Sequence, residues 1–243
     1  MSTAMQPLAV TWLGHGTFYL VSPGGQRILI DPFLSDNPSC PADRKRPEQL
    51  GGVDVVLVTH GHFDHVGDLL AVAQALRPQI VANFEICTWL ERKGAANTRA
   101  MNKGGTQIIN GIAVTMVHAV HSSSIVSDGD IFDGGEPCGY VLRFENGFTL
   151  YHAGDTDVFS DMRLIGELYR PDLAHLPIGD LFTMSPRQAA HAIRLLGVRR
   201  VIPMHYGTWP PLTGTPTQLR EQARDVEGLE IVELKPGETW RAG

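Results

Sequence analysis

Four side chains able to ligate a metal, His60, His62, Asp64 and His65, fall within six positions directly after the apolar run 53–58. Neutral imidazole and carboxylate are donors that divalent transition metals accept. A catalytic ion needs about three protein donors and one open position for water. A loop leaving a strand can aim alternate side chains at one point, and Gly61 permits the tight backbone path this requires. A single His-x-His pair arises readily by chance. Three histidines and an aspartate in this order do not, so the segment predicts a metal centre rather than incidental surface histidines.

The elements that must carry these residues can be read from hydrophobic period and from turn and cap residues. Short β-type runs at 8–13, 18–21, 27–30 and 53–58 predict strands of one sheet. The stretch 31–52 holds four prolines and the basic triplet Arg44-Lys45-Arg46, and reads as a surface loop. After the histidine segment, residues 69–76 show helical spacing with Asp68 as N-cap, followed by a strand at 80–82. The second half repeats the mixture, with strands at 112–117, 140–144 and 148–151 and a helix over 158–168. Ser185, Pro186 and Gln188 supply an N-cap, a proline at the first helical position and a capping-box partner ahead of the apolar-periodic 189–196. A strand at 200–203, a helix over 216–226 and a strand at 230–234 complete the α/β pattern. Residues 122–138 are Gly-rich and acidic, and read either as a long loop lining or covering a pocket or as a solvated surface loop.

Composition narrows the function. Lys and Arg total 20 against 26 Asp and Glu, a formal net charge of −6, so no global basic field holds polyanions and nucleic acid is disfavoured as a partner. Cys40, Cys87 and Cys138 are odd in number and widely spaced, which predicts free thiols in a reducing compartment. With no secretory pattern at the N-terminus and no run of about 18 apolar residues, the expected location is the cytoplasm, with no membrane partner. A Gly-x-Ser-x-Gly elbow is absent and no cysteine sits in a catalytic motif, which argues against a serine or cysteine nucleophile. Oligomeric state is unconstrained, and a homo-oligomer is compatible with the composition.

The pattern His60-x-His62-x-Asp64-His65 resembles the signature of the metallo-β-lactamase superfamily, and later segments follow in that family's order. They are Ala119-Val120-His121-Ser122-Ser123, Tyr151-His152-Ala153-Gly154-Asp155-Thr156 and Pro203-Met204-His205-Tyr206-Gly207-Thr208. Together with Trp12-Leu13-Gly14-His15, Asp31-Pro32-Phe33 and Leu176-Pro177-Ile178-Gly179-Asp180, the chain is similar to small metal-dependent hydrolases related to ascorbate-6-phosphate lactonases. The likeness runs from about Val10 to Leu234 and implies a single domain over 1–243, folded as a four-layer αββα sandwich.

By position, the resemblance implies that His60, His62 and His121 hold one metal, that Asp64, His65 and His205 hold a second, and that Asp155 bridges them. His121 is preferred to His118 because His-Ser-Ser matches the family, and because the odd spacing turns His118 to the other face of a β-type run. Two divalent ions are expected, Zn²⁺ first, with Mn²⁺, Fe²⁺ and Ni²⁺ also suited to these donors. The implied chemistry is attack by a metal-bridging hydroxide on a small ester, lactone or related bond. Asp64 would orient the nucleophile and take its proton. His15, in the turn Gly14-His15-Gly16, is a candidate catalytic or substrate-contacting neighbour. Asp31 and Thr59 are the natural partners of the ligand imidazoles.

Other residues have plainer readings. His152 is a candidate for orienting backbone near Asp155, while His175 and His191 read as packing or surface histidines. Trp209 either walls the pocket beside His205 or packs on the core. A small, anionic substrate would call on Arg44, Arg143 or Arg187. The alternatives are a phosphodiesterase or nuclease of the same superfamily and a metal-stabilised binding protein without turnover. Di-iron redox chemistry is a further option in this fold, and His62 argues against it, standing where the oxygen-reducing relatives carry a glutamate.

Overall fold

The computed structural model describes residues 5–242. Strands β1 (Ala9–Trp12), β2 (Phe18–Val21), β3 (Arg27–Ile30), β4 (Val55–Leu57), β5 (Gln79–Asn83) and β6 (Thr98–Met101) belong to one sheet. Strands β7 (Thr106–Ile109), β8 (Ile112–His118), β11 (Cys138–Arg143), β12 (Thr149–His152), β13 (Leu173–Pro177), β14 (Arg200–Met204) and β15 (Glu230–Ile231) belong to the other. Between β8 and β11 stands a separate hairpin of β9 (Ser124–Ser127) and β10 (Asp130–Asp133), and β16 (Thr239–Arg241) pairs with β1 at the edge of the first sheet. The sheet orders are β16-β1-β2-β3-β4-β5-β6 and β15-β14-β13-β12-β11-β8-β7.

Alternation at period two explains why the sheets stack. Val10, Trp12, Ile28, Ile30, Val55 and Leu57 of the first sheet meet Met116, Tyr140, Leu142, Leu150, Ile202 and Met204 of the second in one buried cluster. The intervening residues Leu29, Val56 and Ile80 face outward onto helices α2 (Leu69–Leu76) and α3 (Phe84–Arg92), which follow a short helix α1 (Phe63–Val66). On the far side, Val141, Tyr151, Ala174 and Val201 are covered by α4 (Met162–Tyr169), α5 (Pro186–Leu196) and α6 (Pro216–Gln222). Both faces of each sheet are therefore apolar, and the expected αββα order is the one observed. The parallel steps from β4 to β6 and from β12 to β15 are joined by these helices, while β3 reaches β4 through the loop 31–54. The loops at the carboxyl ends of these strands are where such sheets bind ligands.

Several expectations need correction. Residues 122–138 are not a structureless loop: β9 and β10 pair through a turn at Asp128-Gly129, both at positive φ (56° and 86°), the conformation an Asp-Gly hairpin favours. The helix expected over 158–168 starts only at Met162, the one expected over 216–226 stops at Gln222, and the strand expected over 230–234 is limited to Glu230–Ile231. Asp68 stands at the N-cap of α2 but makes no capping bond; its Oδ2 instead accepts from the Leu34 and Ser35 N–H groups (2.6 and 3.0 Å), tying the loop after β3 to the helix. Helix α3, capped by the Asn83 side chain, was not expected. The Ser185–Gln188 capping box forms as expected.

Candidate metal centre

The centre is built where β3, β4, β12 and β14 end. Asp31 leaves β3 with φ 49° and is fully buried. Its Oδ1 accepts the Thr59 N–H (2.7 Å), and its Oδ2 accepts the Thr59 hydroxyl (2.6 Å) and lies 2.8 Å from His65 Nδ1. A carboxylate only accepts, so His65 keeps a proton on Nδ1 and Nε2 is the nitrogen it turns toward the other donors. The same logic reaches His60. Thr59 has given its hydrogen to Asp31, so at 3.0 Å its Oγ1 accepts from His60 Nδ1, leaving His60 Nε2 bare. One buried carboxylate thus sets two imidazole tautomers.

Two groups of donors result. His60, His62 and His121 form one; His15, Asp64, His65 and His205 form the other; within each group the donor atoms lie within 4.8 Å of one another. Asp155 Oδ2 sits between them, 3.9 Å from His60 Nε2, 3.7 Å from His121 Nε2, 3.3 Å from His65 Nε2 and 3.0 Å from His205 Nε2. Two donors each about 2.1 Å from a common tetrahedral ion lie roughly 3.4 Å apart, so these spacings suit shared coordination. The approaches of His65 and His205 to Asp155 lack hydrogen-bond geometry. The Nε2 atoms of both histidines and Oδ1 of Asp155 are buried with no hydrogen-bond partner. Each orphaned group costs about 1–3 kcal/mol, and three such costs at one point make sense where a cation takes up the lone pairs. The residues present therefore fit divalent metal.

Electrostatics agree. Burial opposes ionisation of Asp155 and Asp64, yet their histidine neighbours, His205 and His65 for Asp155 and His15 and His205 for Asp64, hold both carboxyls well below the usual range. In return, against the effect of its own burial, His205 is pushed up to about 9 by Asp155 and Asp64, and His65 is raised well above its ordinary value by Asp155 and Asp31. His60, His62 and His121 are shifted down, first by burial. The carboxylates thus create a demand for positive charge between the two groups.

All seven expected ligand positions converge here, and His15 joins them. Its Nε2 lies 2.8 Å from Asp64 Oδ2 and its Nδ1 2.9 Å from Thr208 Oγ1, while its carbonyl accepts from Trp12 Nε1 (2.9 Å) and from the His205 N–H (3.1 Å). Burial, then His205, lowers its pKa to about 4, so the ring is neutral and its one proton faces Asp64. His118 stays outside, exposed at the end of β8, 3.1 Å from Lys103 Nζ and edge-on to Phe159. His191 is exposed on α5. Arg143 lies at the end of β11 remote from Cys138, whose N–H bonds Thr59, roughly 17 Å away at about 3.4 Å per residue. Trp209 borders His15 rather than the core, with ring centroids 4.7 Å apart, and with Phe33 and Phe63 makes an aromatic wall at 6.0–6.1 Å spacings. Tyr206 instead stacks on Trp12.

Sequence reasoning missed Thr208, three residues after His205, and the anchoring serines. Ser123 Oγ accepts the Gly61 N–H (3.1 Å) and donates to the Gly134 carbonyl, while Ser122 Oγ lies 3.3 Å from His62 Nε2. A Cβ at Gly61 would stand 2.7 Å from Ile125, so the base of the β9–β10 hairpin is packed on the histidine loop.

Residues 26–206 match the model of the "Beta-lactamase superfamily domain". The UPF0173 metal-dependent hydrolase of Koribacter versatilis is 54% identical over 236 residues, 97% of this chain and 99% of that protein. That of Rubrobacter xylanophilus is 56% identical over 231 residues, 94% of each. The chain belongs to the metallo-β-lactamase superfamily. Among solved structures, Igni18, a metallo hydrolase from Ignicoccus hospitalis, superposes with a TM-score of 0.85 at 32% identity, covering 97% of this chain and 98% of that one. The chain is accordingly a metal-dependent hydrolase of this superfamily. All seven expected ligands of the hydrolase lie inside the matched segment, whereas His15, Thr208 and Trp209 lie outside it.

Proposed function

We propose that this hydrolase cleaves a small ester or lactone with two divalent ions, Zn²⁺ foremost. One would be held by His60, His62 and His121, the other by Asp64, His65 and His205, with Asp155 between them. The observation carrying this reading is the single Asp155 oxygen that faces imidazole nitrogens of both groups at 3.0–3.9 Å. Bound divalent ions supply Lewis acidity, polarising the scissile carbonyl and lowering the pKa of a coordinated water from 15.7 to about 7.

The chain's own residues do the rest. Asp64, 13% exposed and held ionised, hydrogen-bonds the attacking water and carries its proton toward the departing alkoxide as the tetrahedral intermediate collapses. His15 keeps that carboxylate in place through Nε2–H, and Thr208 fixes the His15 tautomer by donating to Nδ1. Phe63, 63% exposed between His62 and Asp64, and Trp209 beside His15 offer an apolar surface for a substituent next to the scissile bond. This wall supports a substrate that carries an apolar substituent beside the scissile bond. Three free, buried cysteines fit the reducing cytoplasm.

The test is metal content by elemental mass spectrometry, followed by a panel of aryl esters, lactones, thioesters and phosphodiesters. About two ions per chain, reduced in Asp64→Ala and His121→Ala, with metal-dependent ester or lactone cleavage and a raised KM in Trp209→Ala, supports the proposal. Turnover of phosphodiesters alone replaces it with the nuclease reading. Two ions without turnover replaces it with a metal-stabilised binding protein.

A further inference from the structure

Behind Asp31 lie two histidines that the hydrolytic reading leaves unused. His152 ends β12, His175 lies opposite it on the parallel strand β13, and both are fully buried. Their Nδ1 atoms face each other at 3.1 Å with the rings at 87°. The His175 ring lies flat on Phe18, 4.0 Å away at 17°, and its Nε2 has no partner. The Nε2 of His152 is likewise without a hydrogen-bond partner, and Asp31 Oδ2 stands 3.9 Å from it. That distance exceeds a hydrogen bond but is well within Coulombic reach in a site without water.

Two ring nitrogens at 3.1 Å can bond only if one carries hydrogen and the other does not. Burial, then His152, holds His175 well below its ordinary pKa, so it is neutral and has one proton to assign. Were that proton on Nε2, it would point into an apolar pocket with nothing to accept it, and His175 Nδ1 would have to accept from His152. A neutral His152 donating in that sense would turn its remaining lone pair on the Asp31 carboxylate, a repulsive arrangement in a buried site. The opposite sense removes this conflict.

We propose that His175 donates from Nδ1 to His152 Nδ1, which fixes His152 as the Nε2–H tautomer and aims that N–H at Asp31. The polarity then runs one way: His175 to His152, His152 toward Asp31, with Asp31 also receiving His65 and Thr59. His152 and His175 are positioning residues. They act through the carboxylate that sets the tautomers of His60 and His65 and never touch the reacting atoms. The tautomer assignment stands independently of the hydrolase reading; only its consequence for metal affinity rests on that reading.

Long-range ¹H–¹⁵N correlation spectra of the chain labelled with ¹⁵N-histidine read each ring nitrogen directly, in chelator-treated and zinc-loaded protein. The expected spectrum has His152 protonated at Nε2 alone and His175 at Nδ1 alone. His175→Phe, which keeps an aromatic ring on Phe18 but removes the donor, should mix the His152 tautomers and weaken zinc binding by about tenfold, the low end for an outer partner of a metal site. A His152 proton on Nδ1, a doubly protonated His152 or a His175 proton on Nε2 would each overturn the proposal, and these are read in the unmutated chain. So would a His175→Phe protein whose His152 tautomer and zinc affinity match the parent.

Discussion

Replacing Asp31 with Asn preserves shape at a fully buried position and inverts its hydrogen-bond logic. The carboxylate accepts three bonds, from Thr59 N–H, the Thr59 hydroxyl and His65 Nδ1. The Asn oxygen can keep only the first, so its NH₂ must face the other two. The Thr59 hydroxyl then accepts instead of donating, and its hydrogen turns toward His60 Nδ1. His65, meeting a donor, moves its own proton from Nδ1 to Nε2. Both changes place hydrogen on nitrogens that face the metal centre. Binding a metal would require restoring the original tautomers against unsatisfied N–H groups, at about 1–3 kcal/mol for each histidine. At 1.4 kcal/mol per tenfold, the combined 2–6 kcal/mol corresponds to a loss of about thirtyfold or more, against the roughly 10–100-fold typical of such partners. Competition titration of zinc against a chromogenic chelator measures this. An affinity within about threefold of the parent would refute the tautomer argument.

The same substitution has a pH signature. The folded carboxyl of Asp31 is depressed because His65 and His152 outweigh the opposing effect of burial. A depressed carboxyl contributes stability that is complete above its unfolded value of about 3.9 and is lost as pH falls below it. Asn has no such contribution to lose, so the acid limb of Asp31→Asn in urea unfolding of metal-free protein should be flatter than the parent's. Parallel acid limbs would mean that Asp31 is not the group titrating.

Three further outcomes are expected. Chelation should lower the melting temperature measured calorimetrically, by roughly 5–11 °C per site when the metal had been at 100-fold its Kd, since that saturation adds about 2.7 kcal/mol and each kcal/mol shifts a chain of this size by about 2–4 °C; no shift would contradict the fit of the orphaned nitrogens to a cation. His121→Ala should lose metal on dialysis while His118→Ala retains the full complement, and the reverse would return the ligand role to His118. Gly16→Ala places a Cβ 2.7 Å from His65 Cε1, so it should cost about 1–3 kcal/mol and weaken metal binding together; unchanged affinity would show that the β1–β2 turn yields instead of the ring.

The legible parts of this molecule are those whose signal is local. Strands β2 and β3 stand where the apolar runs put them, because alternation with a break on either side leaves little freedom. The histidine loop was readable because its donors are contiguous. Helix α3 was missed although Asn83 caps it and Ile86, Cys87 and Leu90 line one side, because it begins without a break at the end of β5. Strand β6 has no fully buried residue, so it has no apolar alternation to detect. The hairpin had its Asp128-Gly129 marker in plain view, outweighed by the length and acidity of its surroundings. The bond between His15 and Thr208 was beyond reach for a different reason: 193 residues separate the partners, and only the packing of the β1–β2 turn against the loop after β14 brings them together.

Strain at the centre has a consistent origin in these strand ends. Asp31, His15 and His205 adopt positive φ of 49°, 55° and 55°, a conformation that non-glycine residues rarely occupy. Each such residue costs of order 1–3 kcal/mol and persists only where its surroundings determine it. Here they do. Asp31 follows Ile30, His15 follows the buried Leu13 and Gly14, and His205 follows Met204, so each turn begins from a strand or segment locked in an apolar layer. In each case the residue at the turn itself sends its side chain into the centre: Asp31 to His65, His15 to Asp64 and His205 to Asp155. The bond from the His205 N–H to the His15 carbonyl then couples two of these turns. Three strained residues and the orphaned atoms of His65, Asp155 and His205 thus meet at this centre, opposed by the cores on either side, which keeps the donors arranged before any ligand arrives.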